Sequence, residues 1–431
     1  MAESATLRPE AEAEAVPTGR PEGGWCGAGV RLTALFGALA CLGMVMVASA
    51  AAGVDGGTDA LAETVKRRLL WTAIGVIAFG VGACVNYQRW RRHHLAIAAL
   101  AFAGLLILLV PGVGATVNGA RRWIRFGGRI GVQPSEFAKV ALIIWTAAWC
   151  ERCVWTRNPR NGEPMIRSFA RGFLVPMGVA GAASVLVLGE PDFGTAVLIG
   201  LLCTVMLLAC GTRLVYVMLA LLAAAPLAHR MVVGEPYRMQ RLLAFMDPWS
   251  DPEGAGYQLI QSLIALGSGG LTGKGLGMGV QKMGFLPAAN NDFIFAMIGE
   301  ELGFVGAAAL LALYVWVLCE GLAVALRARD SFGFALAFGL TMLLGVQTAV
   351  NVAVVTGALP TKGLSLPLVS AGGSSLVVTL WAAGILVNVA RSVEAPREFE
   401  LTPWPRDVPG YEARLWSAAR ALATRRAVKE A

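Results

Sequence analysis

Charge is scarce in this sequence. Asp, Glu, Lys and Arg together supply 15% of its 431 residues, where a soluble domain carries about 25%. The hydrophobic share is 56% and the mean hydropathy +0.62. So little charge excludes an ordinary soluble globular protein and makes lipid the natural solvent. Histidine is rarer still. His93, His94 and His229 are the whole supply, none at metal-ligand spacing. Of eight cysteines, Cys41, Cys84, Cys203, Cys210 and Cys319 fall inside apolar runs, where thiols behave as small hydrophobes. Cys150 and Cys153 form a lone Cys-x-x-Cys without the nearby partners that a zinc or redox centre needs. No spaced P-loop pattern occurs, which argues against an ATP site. No repeat relates the two halves, which weakens an inverted-repeat transporter. No cleavable signal peptide opens the chain, so Gly29–Ala52 reads as a retained first span.

What is present is a series of apolar blocks of about 16–28 residues. At ~1.5 Å per residue these can cross a hydrocarbon core of ~30 Å. Ten spans are expected, near 29–52, 69–87, 94–113, 134–150, 173–190, 192–210, 214–231, 293–318, 332–358 and 374–391. The fold class is therefore all-α and polytopic. Residues 1–28 read as a disordered cytoplasmic tail, 29–391 as one transmembrane domain, and 392–431 as a second cytoplasmic tail. Arg89, Arg91 and Arg92, then Arg152, Arg157, Arg160, Arg167 and Arg171, then Arg213, then Arg327 and Arg329 fall in loops sharing one face. The positive-inside rule makes that face cytoplasmic, with both termini on it. The net charge of +8 is thus mainly a topology signal. No nucleic-acid partner is implied.

Two outer loops break the rule. The loop after span 3 carries Arg121, Arg122, Arg125 and Arg129. The loop between spans 7 and 8 is long, from 232 to 292, and holds Tyr237, Arg238, Arg241, Asp247, Asp251, Lys274, Lys282 and Asp292. Positive charge kept outside suggests an anionic ligand there; arginines bound to membrane lipid headgroups are the alternative.

Five segments carry polar chemistry inside or beside these spans. The first joins Asn118-Gly-Ala-Arg-Arg-Trp-Ile to Gln133-Pro-Ser-Glu-Phe-Ala-Lys139. Pro134 suits a helix start, and Glu136 and Lys139 can pair at i,i+3. A lysine one turn inside a membrane helix faces protein or a wet cavity. The second is Glu190-Pro-Asp-Phe-Gly-Thr195, where Asp192 either caps span 6 or shapes an outward polar cavity. The third comprises an interfacial amphipathic helix at Tyr257–Leu266 and a glycine-rich run centred on Lys274, whose backbone N–H groups could approach phosphate. The fourth is Leu286-Pro-Ala-Ala-Asn-Asn-Asp292-Phe-Ile-Phe295. Asp292 at the entrance of span 8 is either a helix cap or a general base. Glu300 and Glu301 follow and point different ways. The fifth runs from Asn351 through Leu359-Pro-Thr-Lys-Gly-Leu to Ser370-Ala-Gly-Gly-Ser-Ser375 and includes Lys362. Gln347 and Asn351 suit interhelical hydrogen bonds.

In order and spacing these segments resemble the SEDS family of shape, elongation, division and sporulation proteins, over residues 30–392. Leu359-Pro-Thr-Lys-Gly-Leu and Tyr237-Arg-Met-Gln-Arg are closer to the division branch than to the elongation branch. The resemblance implies a ten-span glycosyltransferase of the bacterial inner membrane at the division septum. Its substrate would be lipid II, a disaccharide-peptide on undecaprenyl diphosphate. Its partners would be a class B penicillin-binding protein supplying transpeptidation, and other divisome proteins. The family's essential aspartate corresponds to Asp292, its basic residues to Arg122 and Lys139, and its Lys-Gly loop to Lys274. Gln133, Glu136 and Lys362 join the substrate-binding set. A divalent cation (Mg2+ or Mn2+) on Asp292 competes with the base role. The sequence departs from the family at Ala288 and Asn290, where Glu and His are usual, and at Ala371 in place of Tyr. A lipid II flippase and a non-enzymatic division scaffold are the alternative functions.

Overall fold

The computed structural model describes residues 27–52, 57–110, 114–117, 120–126, 130–158, 162–234, 236–287 and 289–394. The expected tails therefore lie almost wholly outside the described residues, as does Ala288. The helices are α1 (Ala28–Ala52), α2 (Gly57–Cys84), α3 (Tyr87–Arg92), α4 (His94–Leu109), α5 (Pro134–Trp155), α6 (Val175–Gly189), α7 (Phe193–Ala209) and α8 (Leu214–Val233). They continue with α9 (Pro236–Met246), α10 (Tyr257–Ser268), α11 (Ile294–Arg327), α12 (Ser331–Val355) and α13 (Gly373–Glu394). Each expected span is matched by one helix. Among the described residues six helices, counting α6 with the π-turn Phe169–Leu174 that leads into it, are long and apolar enough to cross a membrane. α4, α7 and part of α8 are shorter apolar helices. The protein is a multi-pass membrane protein.

α5 is the hub. It starts at Pro134, where a missing N–H costs nothing, and it packs against α4, α7 and α12. Burial extends around its whole circumference from Pro134 to Ala148, Glu136 and Lys139 included. α2 and α13 approach closely because glycines line their seam. A Cβ on Gly384 would stand 2.2 Å from the Phe79 carbonyl oxygen, and one on Gly82 2.6 Å from that of Trp381. Small residues allow such contact where lipid removes the hydrophobic drive between helices.

Three features add to the expected architecture. The loop after α4 folds into a small antiparallel sheet, β1 (Ala115–Val117), β2 (Ala120–Phe126) and β3 (Ile130–Val132), in the order β1-β2-β3. The β2 run Ala-Arg-Arg-Trp-Ile-Arg-Phe contains the aromatic and β-branched residues that favour strands, but its arginines dominate a charge-based reading. A further helix, α9, occupies the long loop ahead of α10. Finally, α11 runs 34 residues and is broken at Gly303 (φ 69, ψ −169).

The glycine-rich loop is threaded into that break. Lys274 N and Gly275 N donate to the Glu300 and Glu301 carbonyls, both at 3.0 Å. Phe304 N and Val305 N donate to the Gly270 and Leu271 carbonyls at 2.9 and 3.1 Å. The backbone groups freed by the kink are thus satisfied inside the protein, as a membrane interior demands.

Candidate active site

Five chain segments meet where α5, α7, α11 and α13 begin. Asp192 caps α7, its Oδ1 accepting from Thr195 N at 3.1 Å and its Oδ2 from Thr195 Oγ1 at 2.9 Å. Gln133, the residue before α5, reaches Asp192 Oδ2 with Nε2 at 3.4 Å. Its backbone N–H donates to Ser374 Oγ at 3.2 Å, and Ser374 in turn donates to the Gly131 carbonyl at 2.9 Å. This ties β3, α5 and α13 together. Arg122 comes from β2; its guanidinium clamps the 190–191 turn through the carbonyls of Glu190 (3.1 Å) and Pro191.

Asp292 stands just ahead of α11 and is half-buried. Its backbone carbonyl accepts from Asn351 Nδ2 at 2.7 Å, and the same amide donates to the Leu364 carbonyl at 2.8 Å. Asn291 O accepts from Ser370 Oγ at 2.6 Å, and Asn290 O from Ala371 N at 3.0 Å. The two departures from the family pattern at Asn290 and Ala371 therefore share one backbone bond. The 359–372 loop is held from several sides. Gln347 Nε2 donates to the Ser365 carbonyl at 3.0 Å, and Tyr314 Oη to that of Pro367 at 2.5 Å. The buried guanidinium of Arg68 donates to the carbonyls of Ser370 and Leu368 at 2.5 and 2.8 Å. Those bonds hold Leu368 at φ 65, a conformation that costs a non-glycine residue about 1–3 kcal/mol. A Cβ on Gly363 would sit 3.2 Å from Asp292 Oδ2, so this rigid loop passes directly over the carboxylate.

Burial pushes the Asp292 carboxyl up to about 6, reinforced by Asp192 and opposed by the cations Arg122 and Arg241. Arg241, on α9, also donates to the Thr361 carbonyl at 3.2 Å. Lys362 lies with Nζ 5.2 Å from the centre of the Phe193 ring, and burial pulls its ammonium below the usual lysine range. Glu190 is the most displaced acid outside the spans. Burial, then Asp192, raise it to about 8 against the pull of Arg122, and neither carboxylate oxygen has a hydrogen-bond partner.

The structure thus gathers Asp292, Asp192, Arg122, Gln133 and Lys362 into one site. Glu136 and Lys139 lie just beneath it and are turned to each other. Nζ meets Glu136 Oε1 at 2.9 Å and Gln347 Oε1 at 3.4 Å, and the lysine is 2% exposed. Lys274 belongs to a different cluster, paired with Glu300 at 2.8 Å, as Lys282 is with Glu301 at 2.8 Å. The glycine-rich N–H groups expected for phosphate bind those acids instead: Gly277 N meets Glu301 Oε2 at 3.1 Å, and Val280 N meets Glu300 Oε1 at 2.9 Å. Glu190 and Arg68 carry no site signal in the sequence, and Arg241 appears there only as one of the cations of the long loop. Tyr237 and Arg238 fall where side chains are not described.

Among the described residues no group of three His, Cys, Asp or Glu side chains could hold a metal ion. The donors fit a divalent cation only in part. Asp292 is a suitable hard ligand, but Asp192 is already committed to Thr195 and Gln133. Most of the remaining ligands would have to come from a bound diphosphate or water, a common arrangement for magnesium.

Fold and site together define a class: a polytopic membrane protein with a half-buried acid, Asp292, among cations at the mouth of a broken helix. A model of the cell cycle protein family of FtsW, RodA and SpoVE matches residues 30–395, and the chain belongs to that family. It is 41% identical over 356 residues to the "Probable peptidoglycan glycosyltransferase FtsW" of Geobacter metallireducens, covering 82% of this chain and 92% of that one. It is 39% identical over 355 residues to the "Stage V sporulation protein E" of Bacillus subtilis, covering 82% and 94%. Two solved structures share the fold. One, described as "Structural coordination of polymerization and crosslinking by a peptidoglycan synthase complex", aligns with TM-score 0.67 and 29% identity over 84% of this chain and 98% of that one. The other, the rod shape determining protein RodA of Thermus thermophilus, aligns with TM-score 0.60 and 26% identity over 85% and 97%.

Proposed function

We infer that the chain is a peptidoglycan glycosyltransferase that polymerises lipid II into glycan strands during septal wall synthesis. The observation that carries the mechanism is Asp292: a half-buried carboxyl, raised to about 6, with Arg122 and Arg241 acting on its charge. A base titrating near 6 is ionised at neutral pH yet more basic than a free aspartate, which is the compromise general-base catalysis favours.

In the proposed reaction an Asp292 oxygen takes the proton of the acceptor's GlcNAc 4-hydroxyl. That oxygen forms the new bond to the anomeric carbon of the donor MurNAc. The bond from that carbon to the diphosphate breaks, and undecaprenyl diphosphate leaves with both electrons. Arg122 and Lys362 are placed to meet the growing negative charge; fixed cations in a partly dry site are effective there. Lys139 is paired with Glu136 and Lys274 with Glu300, so each already has its own counter-charge. A divalent cation shared by Asp292 and the diphosphate would add charge neutralisation.

Likeness to the synthase complex supports a class B penicillin-binding protein as partner, likeness to FtsW supports action at the septum, and the arginine distribution supports cytoplasmic termini.

The test is reconstitution with labelled lipid II in vesicles, with that partner present. Glycan ladders on a gel are expected. Movement of lipid II across the bilayer with no polymer formed would identify a flippase instead.

A further inference from the structure

At the end of α5 far from Asp292, the ends of α3, α4 and α5 line an open cavity of about 450 Å³. Its walls carry three guanidiniums, Arg91, Arg92 and Arg152, against one acid, Glu151, together with His94 and Trp155. Arg91 Nη1 donates to Glu151 Oε1 at 2.7 Å, so that carboxylate is taken and the cavity keeps an excess of positive charge. The His94 ring is fixed by a 2.7 Å contact between Nδ1 and the Arg91 carbonyl. The positive-inside rule accounts for arginines on this face. It does not account for their convergence, from positions 60 residues apart, on one open-mouthed cavity. Gathering like charges costs repulsion, which a bound anion removes.

Depth and surroundings indicate the anion's source. α5 has 22 residues, about 33 Å of helix. Its first turn borders the Asp292 site and its last turn borders this cavity. The cavity therefore lies one hydrocarbon thickness away, at headgroup level of the opposite leaflet. On α4, directly after His94, Leu95 and Leu106 lie about three turns apart on one face and are 61% and 52% exposed, an apolar strip along which an acyl chain can lie. Trp155 suits the membrane interface.

We propose that this cavity binds the phosphate headgroup of an anionic phospholipid. Arg92 and Arg152 grip phosphate oxygens in the forked geometry that suits guanidinium, and the acyl chains rest on α4. Glycosyl transfer on the far side makes no use of the site.

The test is a titration of the purified full-length chain in neutral detergent, read by native mass spectrometry. Phosphatidylglycerol and cardiolipin are compared with phosphatidylcholine and with inorganic phosphate. Anionic lipid is expected to be retained at least about tenfold better than phosphatidylcholine, and the pair Arg92→Ala/Arg152→Ala to lose that preference. Arg92→Lys/Arg152→Lys, which keeps the charge, retains part of it. Glu151→Gln, which removes the competing carboxylate, binds more tightly and keeps the proposal testable if the alanine pair fails to fold. Equal retention of all lipids, unchanged binding in the alanine pair and looser binding in Glu151→Gln would each overturn the proposal. Inorganic phosphate binding as tightly as lipid would overturn it too, assigning the cavity to a soluble anion.

Discussion

At Asp292 two physical effects pull against each other. Removal from water disfavours the carboxylate, while Arg122 and Arg241 favour it; desolvation wins and the group titrates near 6. Polymerisation should therefore rise between about pH 5 and about pH 7 and then level, because the base must be ionised. A pH–rate profile at saturating lipid II checks this; a flat profile would contradict it. Stability has the opposite sign. An unfolded aspartate titrates near 3.9, so between about pH 4 and about pH 6 the folded protein holds the extra proton, and stability falls as pH rises through that window. Above it the full penalty remains. Asp292→Asn should thus melt higher than the wild type at pH 7.5, with the gap closing toward pH 4, as followed by thermal melts in detergent. Asp292, Asp192 and Arg122 were legible in the sequence because each sits at a helix entrance or breaks a charge rule. Arg68 was not. Its role depends on carbonyls about 300 residues away, and within the basic run Lys66-Arg67-Arg68 nothing in the sequence singles it out. Glu190 was read only as part of the turn that carries Asp192; its isolation arises from what packs over it.

Among the elements, α5 and α11 bring charge into apolar surroundings by different means. α5 buries the Glu136–Lys139 pair with help from Gln347. Removing one member of such a pair leaves a bare charge and costs about 3–5 kcal/mol, whereas replacing both can be near neutral. Lys139→Met should therefore lower the melting temperature sharply, and Glu136→Gln/Lys139→Met should recover much of the loss. If the double variant melts no higher than the single, the pair is not the structural unit described here. α11 instead breaks at Gly303 and lets a loop carry Lys274 and Lys282 to Glu300 and Glu301. Apolar length located both helices in the sequence. The break was hidden because hydropathy runs on unbroken through Gly303, and the glycine-rich loop pointed equally well to a phosphate as to the carboxylates it binds. Strand β2 was hidden by its arginines.

For the whole molecule, composition alone dictated a polytopic helical protein, and the order of five motifs dictated the family. What remained unreadable was which side chains meet. α2 with α13, and α5 with α12, assemble from distant parts of the chain, and no local pattern encodes those pairings. The same scale holds the proposed partnership. Glycan synthesis and cross-linking must be matched in space, so adding the class B penicillin-binding protein should raise polymerisation by the purified chain severalfold. Rates compared with and without it at fixed lipid II measure this, and no change would remove the partner from the polymerising step.

The claim that Asp292 is the base is tested most directly by comparing wild type with Asp292→Ala in the same detergent, with the partner present and labelled lipid II resolved on a gel. Glycan from the wild type and none from a variant that still melts cooperatively is the predicted result. Chains of wild-type length and yield from Asp292→Ala would contradict it.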